Sequence, residues 1–160
     1  MPSNFTEIER KFLIDSFPSN LPFKRSYQVY QAYLSLEPEV RIRRYVKDGL
    51  DAAYLLTIKS GDGLVRREVE FEISREQFYA LAEMISAPFI SKDFRVYQLP
   101  NGLELECSLV DGGTRSEFMY AEVEFPSEDA AAQFAPPPFL KQEITESPTY
   151  RMKNYWQSTR

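Results

Sequence analysis

The chain has 160 residues and a formal net charge of −5, which excludes a broad basic footprint for a nucleic-acid polymer and makes any anion site local. Its 12 Phe and 10 Tyr separate it from disordered sequences, and its length predicts one domain, residues 1–160, with one sizeable core. A single cysteine, Cys107, leaves no intrachain disulfide or thiolate cluster, and the absence of His removes the commonest general base and every His-based metal site. No apolar run is long enough to span a bilayer and the opening residues lack a basic-then-apolar leader, so the expected location is cytoplasmic, with no membrane partner.

Period-two alternation predicts strands at 7–14, 27–35, 40–46, 53–60, 65–73, 94–99, 103–110 and 119–125. Turn chemistry separates several of them: Asp48-Gly49, Gly61-Asp62-Gly63, Asn101-Gly102 and Asp111-Gly112-Gly113. Between the fifth and sixth strands, Ser74-Arg75-Glu76-Gln77 has the form of a capping box and Phe78, Leu81, Ala82 and Ile85 keep helical spacing, which predicts a helix over 75–86. Ser127 opens a second short helix that Pro136-Pro137-Pro138 must stop, and the last dozen residues read as a closing helix. Short strands joined by tight turns imply a barrel or sandwich.

The strand faces carry the chemical information. Residues two apart share a face, so Glu7, Glu9 and Lys11 lie opposite Ile8, Arg10 and Phe12. The same split sets Arg41 and Arg43 against Val40 and Ile42, Thr57 and Lys59 against Leu56 and Ile58, and Glu68 and Glu70 against Val69 and Phe71. Glu104 and Glu106 oppose Leu105 and Cys107, and Glu122 and Glu124 oppose Val123 and Phe125. For one strand alone, a sheet with its charged side in water is the simpler account. Repetition of one sign along a face, however, demands opposite charge nearby. Acidic and basic strands supply it to each other when their faces converge inside a closed barrel, whose apolar outer faces then need helices and the Phe- and Pro-rich tail as cover. Carboxylates without His or Cys suit hard cations such as Mg²⁺ or Mn²⁺, and Arg and Lys beside them suit phosphate oxygens.

The run Glu7-Ile8-Glu9-Arg10-Lys11 carries a Glu-x-Glu-x-Lys signature. It is followed in order by Gln31-Ala32-Tyr33-Leu34, Val40-Arg41-Ile42-Arg43, Leu56-Thr57-Ile58-Lys59, Arg67-Glu68-Val69-Glu70 and Ala121-Glu122-Val123-Glu124. Across nearly its whole length the sequence resembles the CYTH, or triphosphate tunnel metalloenzyme, family, and in style its short bacterial inorganic triphosphatases. The resemblance implies an α+β, mainly β, fold: an eight-stranded antiparallel closed barrel with a charged interior and a few covering helices. It implies metal ligands at Glu7, Glu9, Glu122 and Glu124, with Glu68 and Glu70 on the wall beside them, and phosphate ligands at Lys11, Arg41, Arg43 and Lys59. The family often has Lys-x-Arg on its sixth strand; here Lys92 and Arg95 lie one residue further apart and are carried as phosphate ligands. Glu106, or Ser108 after a register shift, matches a further acidic position, and Lys153 stands either at the tunnel mouth or in solvent.

The implied reaction is hydrolysis of a triphosphate-containing small molecule, foremost inorganic tripolyphosphate, assisted by Mg²⁺ or Mn²⁺. Lys11 would hold the chain, Glu9 or Glu124 would accept a proton, and Tyr33 would orient a phosphate. Adenylyl cyclase and thiamine triphosphatase activities occur on the same tunnel, and a polyphosphate-binding module without turnover is the alternative of another class. Uncovered apolar surface outside the barrel would suit a homodimer.

Overall fold

The computed structural model describes residues 5–160. Eight antiparallel strands form a closed barrel: β1 (Thr6–Leu13), β2 (Phe23–Leu36), β3 (Glu39–Lys47), β4 (Leu50–Ser60), β5 (Val65–Glu72), β6 (Ile90–Gln98), β7 (Glu104–Val110) and β8 (Phe118–Glu124). Around the barrel the order is β1-β5-β4-β3-β2-β6-β7-β8. All eight expected strands occur, with ends moved by a few residues. The largest shifts extend β2 back to Phe23 and β6 back to Ile90.

Local chemistry sets the connections. Asp48 (φ 52°) and Gly49 (φ 77°) make the tight β3–β4 hairpin, because both central residues of such a turn need positive φ. The β2–β3 turn runs through Glu37–Pro38, whose peptide is cis. Helix α1 (Arg75–Ala82) starts on the expected capping box: the Ser74 hydroxyl accepts from the Gln77 amide, and the Gln77 side chain accepts from the Ser74 amide. Helix α2 (Glu128–Gln133) is capped by Ser127, and α3 (Met152–Thr159) closes the chain after a 3-10 turn at Pro148–Tyr150.

The apolar faces point outward and are mostly covered. Ile8, Phe12, Leu105, Cys107, Ala121 and Val123 are buried beneath Ala131 of α2 and Leu140 of the tail, with Phe134 and Phe139 packed around them. Across the barrel, Phe78 of α1 packs 5.2 Å from Tyr54 of β4. Among the described residues, the outer face of β4 and β5 stays bare at Ile58, Val69 and Phe71.

Two features shape the interior. A cluster of Tyr33, Ile90, Val110, Tyr120, Ile144, Met152 and Tyr155 fills the end of the barrel where β2 passes into β3, with α3 beneath it. The seam between β1 and β5 is short: among the described residues its register sets Thr6, Glu7 and Ile8 opposite Arg67, Arg66 and Val65. Beyond them the tail takes over the free edge of β1. Lys141 N–H donates to Leu13 C=O (2.8 Å), Leu13 N–H to Gln142 C=O (2.9 Å) and Ile144 N–H to Lys11 C=O (2.8 Å). The Lys11 amide in turn donates to Thr145 Oγ1 at 3.0 Å.

Candidate active site

The closed barrel turns the charged strand faces toward one another around a cavity of about 230 Å³. Glu7, Glu9 and Lys11 of β1, Arg41 and Arg43 of β3, Lys59 of β4, Glu68 and Glu70 of β5, Lys92 of β6, and Glu122 and Glu124 of β8 all line it, as do Tyr33, Glu106 and Ser108. Cross-strand register explains the meeting: Lys11 lies opposite Glu122 and Glu9 opposite Glu124, while Lys59 faces Glu68 and Thr57 faces Glu70.

Arg95 is the exception. In a strand, residues three apart point to opposite faces, so with Lys92 inside, Arg95 lies outside. There it pairs with Asp93 (2.8 Å) and stacks over Phe17, 3.9 Å from the ring centroid. The inward position two residues after Lys92 is taken by Phe94, so the expectation of Arg95 as a phosphate ligand is corrected. Glu104 is also held away from the cavity, in ion pairs with Arg25 (2.6 Å) and Lys24 (3.2 Å). Lys153 donates to the Leu36 carbonyl at 3.2 Å, outside the cavity lining.

Several charges are neutralised within the wall. Lys59 Nζ bridges Glu7 (2.9 Å) and Glu68 (3.1 Å), and Arg43 pairs with Glu70 (2.5 Å), which also accepts from Thr57. Glu39 and Arg66 pair at 3.3 Å, and Arg151 pairs with Asp62 at 2.9 Å. Other groups keep unused capacity. The Nε atoms of Arg41 and Arg43 are buried without a hydrogen-bond partner among the described residues. Donors left without a partner are costly, and those on guanidinium groups suit an anion.

The carboxyl groups interact in two pairs. Burial, then the charge of Glu122 and a hydrogen bond with it, hold Glu9 well above the usual carboxylate range. Burial works against Glu122 as well, but the contact with Glu9 and the charges of Lys11 and Lys92 keep it low, so Glu9 carries the proton between the two. Burial raises Glu68, while Lys59 and hydrogen bonds with Glu68 and Lys59 keep its neighbour Glu7 ionised despite burial. Burial, with Glu122 nearby, pushes Glu106 up to about 7. Burial also pushes Lys11 below the ordinary lysine range and Lys92 well below it.

Sequence reasoning missed Glu39, Arg66, Tyr45, Tyr120 and Arg151, all of which line the cavity. For Glu39, Arg66 and Tyr120 the signal was present, since each stands two residues before a recognised inward residue. Arg151 follows the 3-10 turn outside any strand, where no alternation could mark it.

No family model matches the chain. An inorganic triphosphatase of Nitrosomonas europaea is 37% identical over 148 residues, covering 92% of this chain and 95% of that protein. The chain belongs to the CYTH, or triphosphate tunnel metalloenzyme, family. The solved structure of the inorganic triphosphatase NE1496 aligns at a TM-score of 0.64 with 33% identity over 92% of each chain. A Hippeastrum protein, the putative adenylyl cyclase HpAC1, described as having a dominant triphosphatase activity, aligns at 0.54 with 18% identity over 79% of this chain and 82% of its own, a likeness of fold. The CYTH barrel thus accounts for the closed sheet with charges turned inward.

Proposed function

We propose that this CYTH protein hydrolyses inorganic tripolyphosphate to diphosphate and orthophosphate, with Mg²⁺ or Mn²⁺ as cofactor and residues 1–160 acting as one domain. One observation carries the reading: Arg41 and Arg43, whose buried Nε atoms have no hydrogen-bond partner among the described residues, line a cavity that Lys11 and Lys92 also reach. Guanidinium groups suit phosphate oxygens because their planar array of donors matches that geometry. The similarity to an inorganic triphosphatase supports the choice of substrate.

The acids fit a hard cation in kind. Among the described residues no three acidic side chains form a closed metal cage. That agrees with Mg²⁺, which is commonly held by one or two carboxylates together with substrate phosphates and water. Glu9 and Glu122, already in contact, are the pair that would hold it, with Glu7, Glu68, Glu70 and Glu124 on the surrounding wall. When bound, such an ion neutralises phosphate oxygens and makes water a better nucleophile.

The residues of the chain divide the remaining work. Arg41, Arg43, Lys11, Lys59 and Lys92 bind the phosphates and stabilise charge on the departing diphosphate. Glu124, whose carboxyl is raised by burial and by neighbouring acids, accepts the proton of the attacking water; Glu9, the other acid expected for that role, already carries the proton of its pair with Glu122. Tyr33, whose hydroxyl accepts from Gln31 at 3.0 Å and contacts Arg41, orients that guanidinium.

The expected location is cytoplasmic: the single cysteine is buried and free, and no helix of the described residues is long and apolar enough to cross a membrane. The bare outer face at Ile58, Val69 and Phe71 supports a homodimer. The deciding experiment incubates the purified protein and Mg²⁺ or Mn²⁺ with tripolyphosphate, thiamine triphosphate and ATP in parallel. Fastest release of orthophosphate from tripolyphosphate is expected. Cyclic AMP formed from ATP, or tripolyphosphate bound but left intact, would overturn the proposal.

A further inference from the structure

Three lysines reach the cavity, and they are held in different ways. Lys59 sits between the carboxylates of Glu7 and Glu68, at 2.9 and 3.1 Å. Lys11 and Lys92 form no ion pair within 4.0 Å among the described residues, and Tyr120 joins them instead. Lys92 Nζ donates to the Tyr120 hydroxyl at 2.7 Å. Lys11 Nζ lies 4.0 Å from the centroid of the same ring and donates to the Tyr150 carbonyl at 2.9 Å.

Every one of these anchors is electrically neutral. A carboxylate at the same place would fix the ammonium groups and also cancel their attraction for an anion. A phenol and an aromatic face fix them without adding a counter-charge of their own, and the carboxylate that acts on both is Glu122, which stands opposite Lys11 in the register of β1 and β8. The ring is itself immobile: Tyr120 is 1% exposed and stacks on Phe118 at 5.7 Å. Phe118 in turn packs against Tyr150 and Tyr155 of the closed end, at 5.7 and 5.1 Å.

We infer that Tyr120 is a positioning residue that sets where the Lys11 and Lys92 amino groups stand in the tunnel, without a direct ion pair, to meet the substrate phosphates. The inference rests on the reading of those lysines as phosphate ligands. It assigns the closed end of the barrel a second task, because the aromatic stack that blocks the tunnel also fixes where two of its cations stand.

The test compares Tyr120→Phe, Tyr120→Leu, Lys11→Met, Lys92→Met and the double variant Tyr120→Phe/Lys92→Met. Calorimetric binding of tripolyphosphate is measured beside steady-state kinetics. Tyr120→Phe keeps the ring and its packing but leaves the buried Lys92 Nζ without its partner, so a modest fall in melting temperature is expected with affinity about tenfold weaker, the usual effect of losing one hydrogen bond to a charged group. The loss appears as a higher KM with kcat little changed. Tyr120→Leu also removes the ring face from Lys11 and weakens binding by a further factor of about three or more. In the Lys92→Met background, Tyr120→Phe should add nothing, because the hydroxyl acts through Lys92. Unchanged affinity in Tyr120→Phe, or fully additive effects in the double variant, would overturn the inference while Lys11→Met and Lys92→Met still weaken binding. If those lysine variants also bind normally, the reading of the lysines as phosphate ligands falls, and this inference with it.

Discussion

The middle of the tunnel and its closed end lie along the same strands but follow opposite rules. In the middle, Arg41, Lys59, Lys92, Glu9 and Glu122 crowd around empty space, with orphaned donors and carboxyl groups that share protons. At the closed end, Ile90, Val110, Ile144 and Met152 pack as one buried apolar cluster. The first arrangement sacrifices stability for binding and the second restores it, which is the usual relation between a functional site and its scaffold.

Substitutions should separate the two regions. The largest effect is expected from Arg41→Ala, which should lower kcat/KM for tripolyphosphate about 10²- to 10³-fold, as loss of one charge-stabilising donor does. Its melting temperature should fall little, because Arg41 is drawn to Glu39 and Glu7 but repels Lys59 and Lys92. A fall of several degrees would break the contrast.

Ile90→Ala, at a fully buried position of the closed end, should behave in the opposite way. A loss of about 2–5 kcal/mol in urea unfolding is expected, with KM for tripolyphosphate unchanged in the protein that remains folded.

Asp111 ties α3 to the same end. Its carboxylate receives Arg160 at 2.7 and 3.0 Å, the Tyr155 hydroxyl at 2.5 Å and the Ser91 amide at 3.0 Å. Burial opposes its charge, but these hydrogen bonds hold the carboxyl below the usual aspartate range. Its contribution is therefore present above the unfolded-state value and lost as pH falls through the folded one. Asp111→Asn should cost about 1–3 kcal/mol near neutral pH, and the gap from the parent protein should shrink below about pH 4, near the ordinary aspartate pKa.

Glu106→Gln should have the smallest effect and the most informative pH dependence. With its carboxyl pushed up to about 7, Glu106 is largely neutral below that pH and close to Gln in shape and charge. Activity at about pH 6 should be unchanged, since a neutral carboxyl and an amide differ little there. A carboxyl raised in the folded state destabilises once pH exceeds its unfolded value, increasingly up to its folded value. Thermal melts should therefore show the variant gaining stability over the parent above about pH 7 and no gain at about pH 4, where both groups are neutral.

Much of the barrel was legible because alternation is local. Each strand announced its two faces, and the repeated signs announced that the faces had to meet. Arg95 shows the limit of treating a motif as a string: moving a basic residue from two to three positions after Lys92 reverses its face, and parity alone would have excluded it. Tyr120 was hidden for another reason, since an aromatic on an inward face looks the same whether it fills space or anchors two lysines. The tail was least readable. Its pairing with β1 depends on where β5 departs, and nothing in 141–145 records that distant event.

That borrowed edge has a consequence for how the molecule is made. Arg10 meets Glu143 across a separation of 133 residues, and Lys11 meets Tyr150 across 139. On the ribosome, β1 must wait for Tyr150, 139 residues later, before Lys11 is anchored. Contacts so remote in sequence carry a large loop-closure cost and form late, which favours slow folding. A nascent chain should therefore hold a partly built barrel with its cavity unfinished until residues 141–150 have emerged to meet β1.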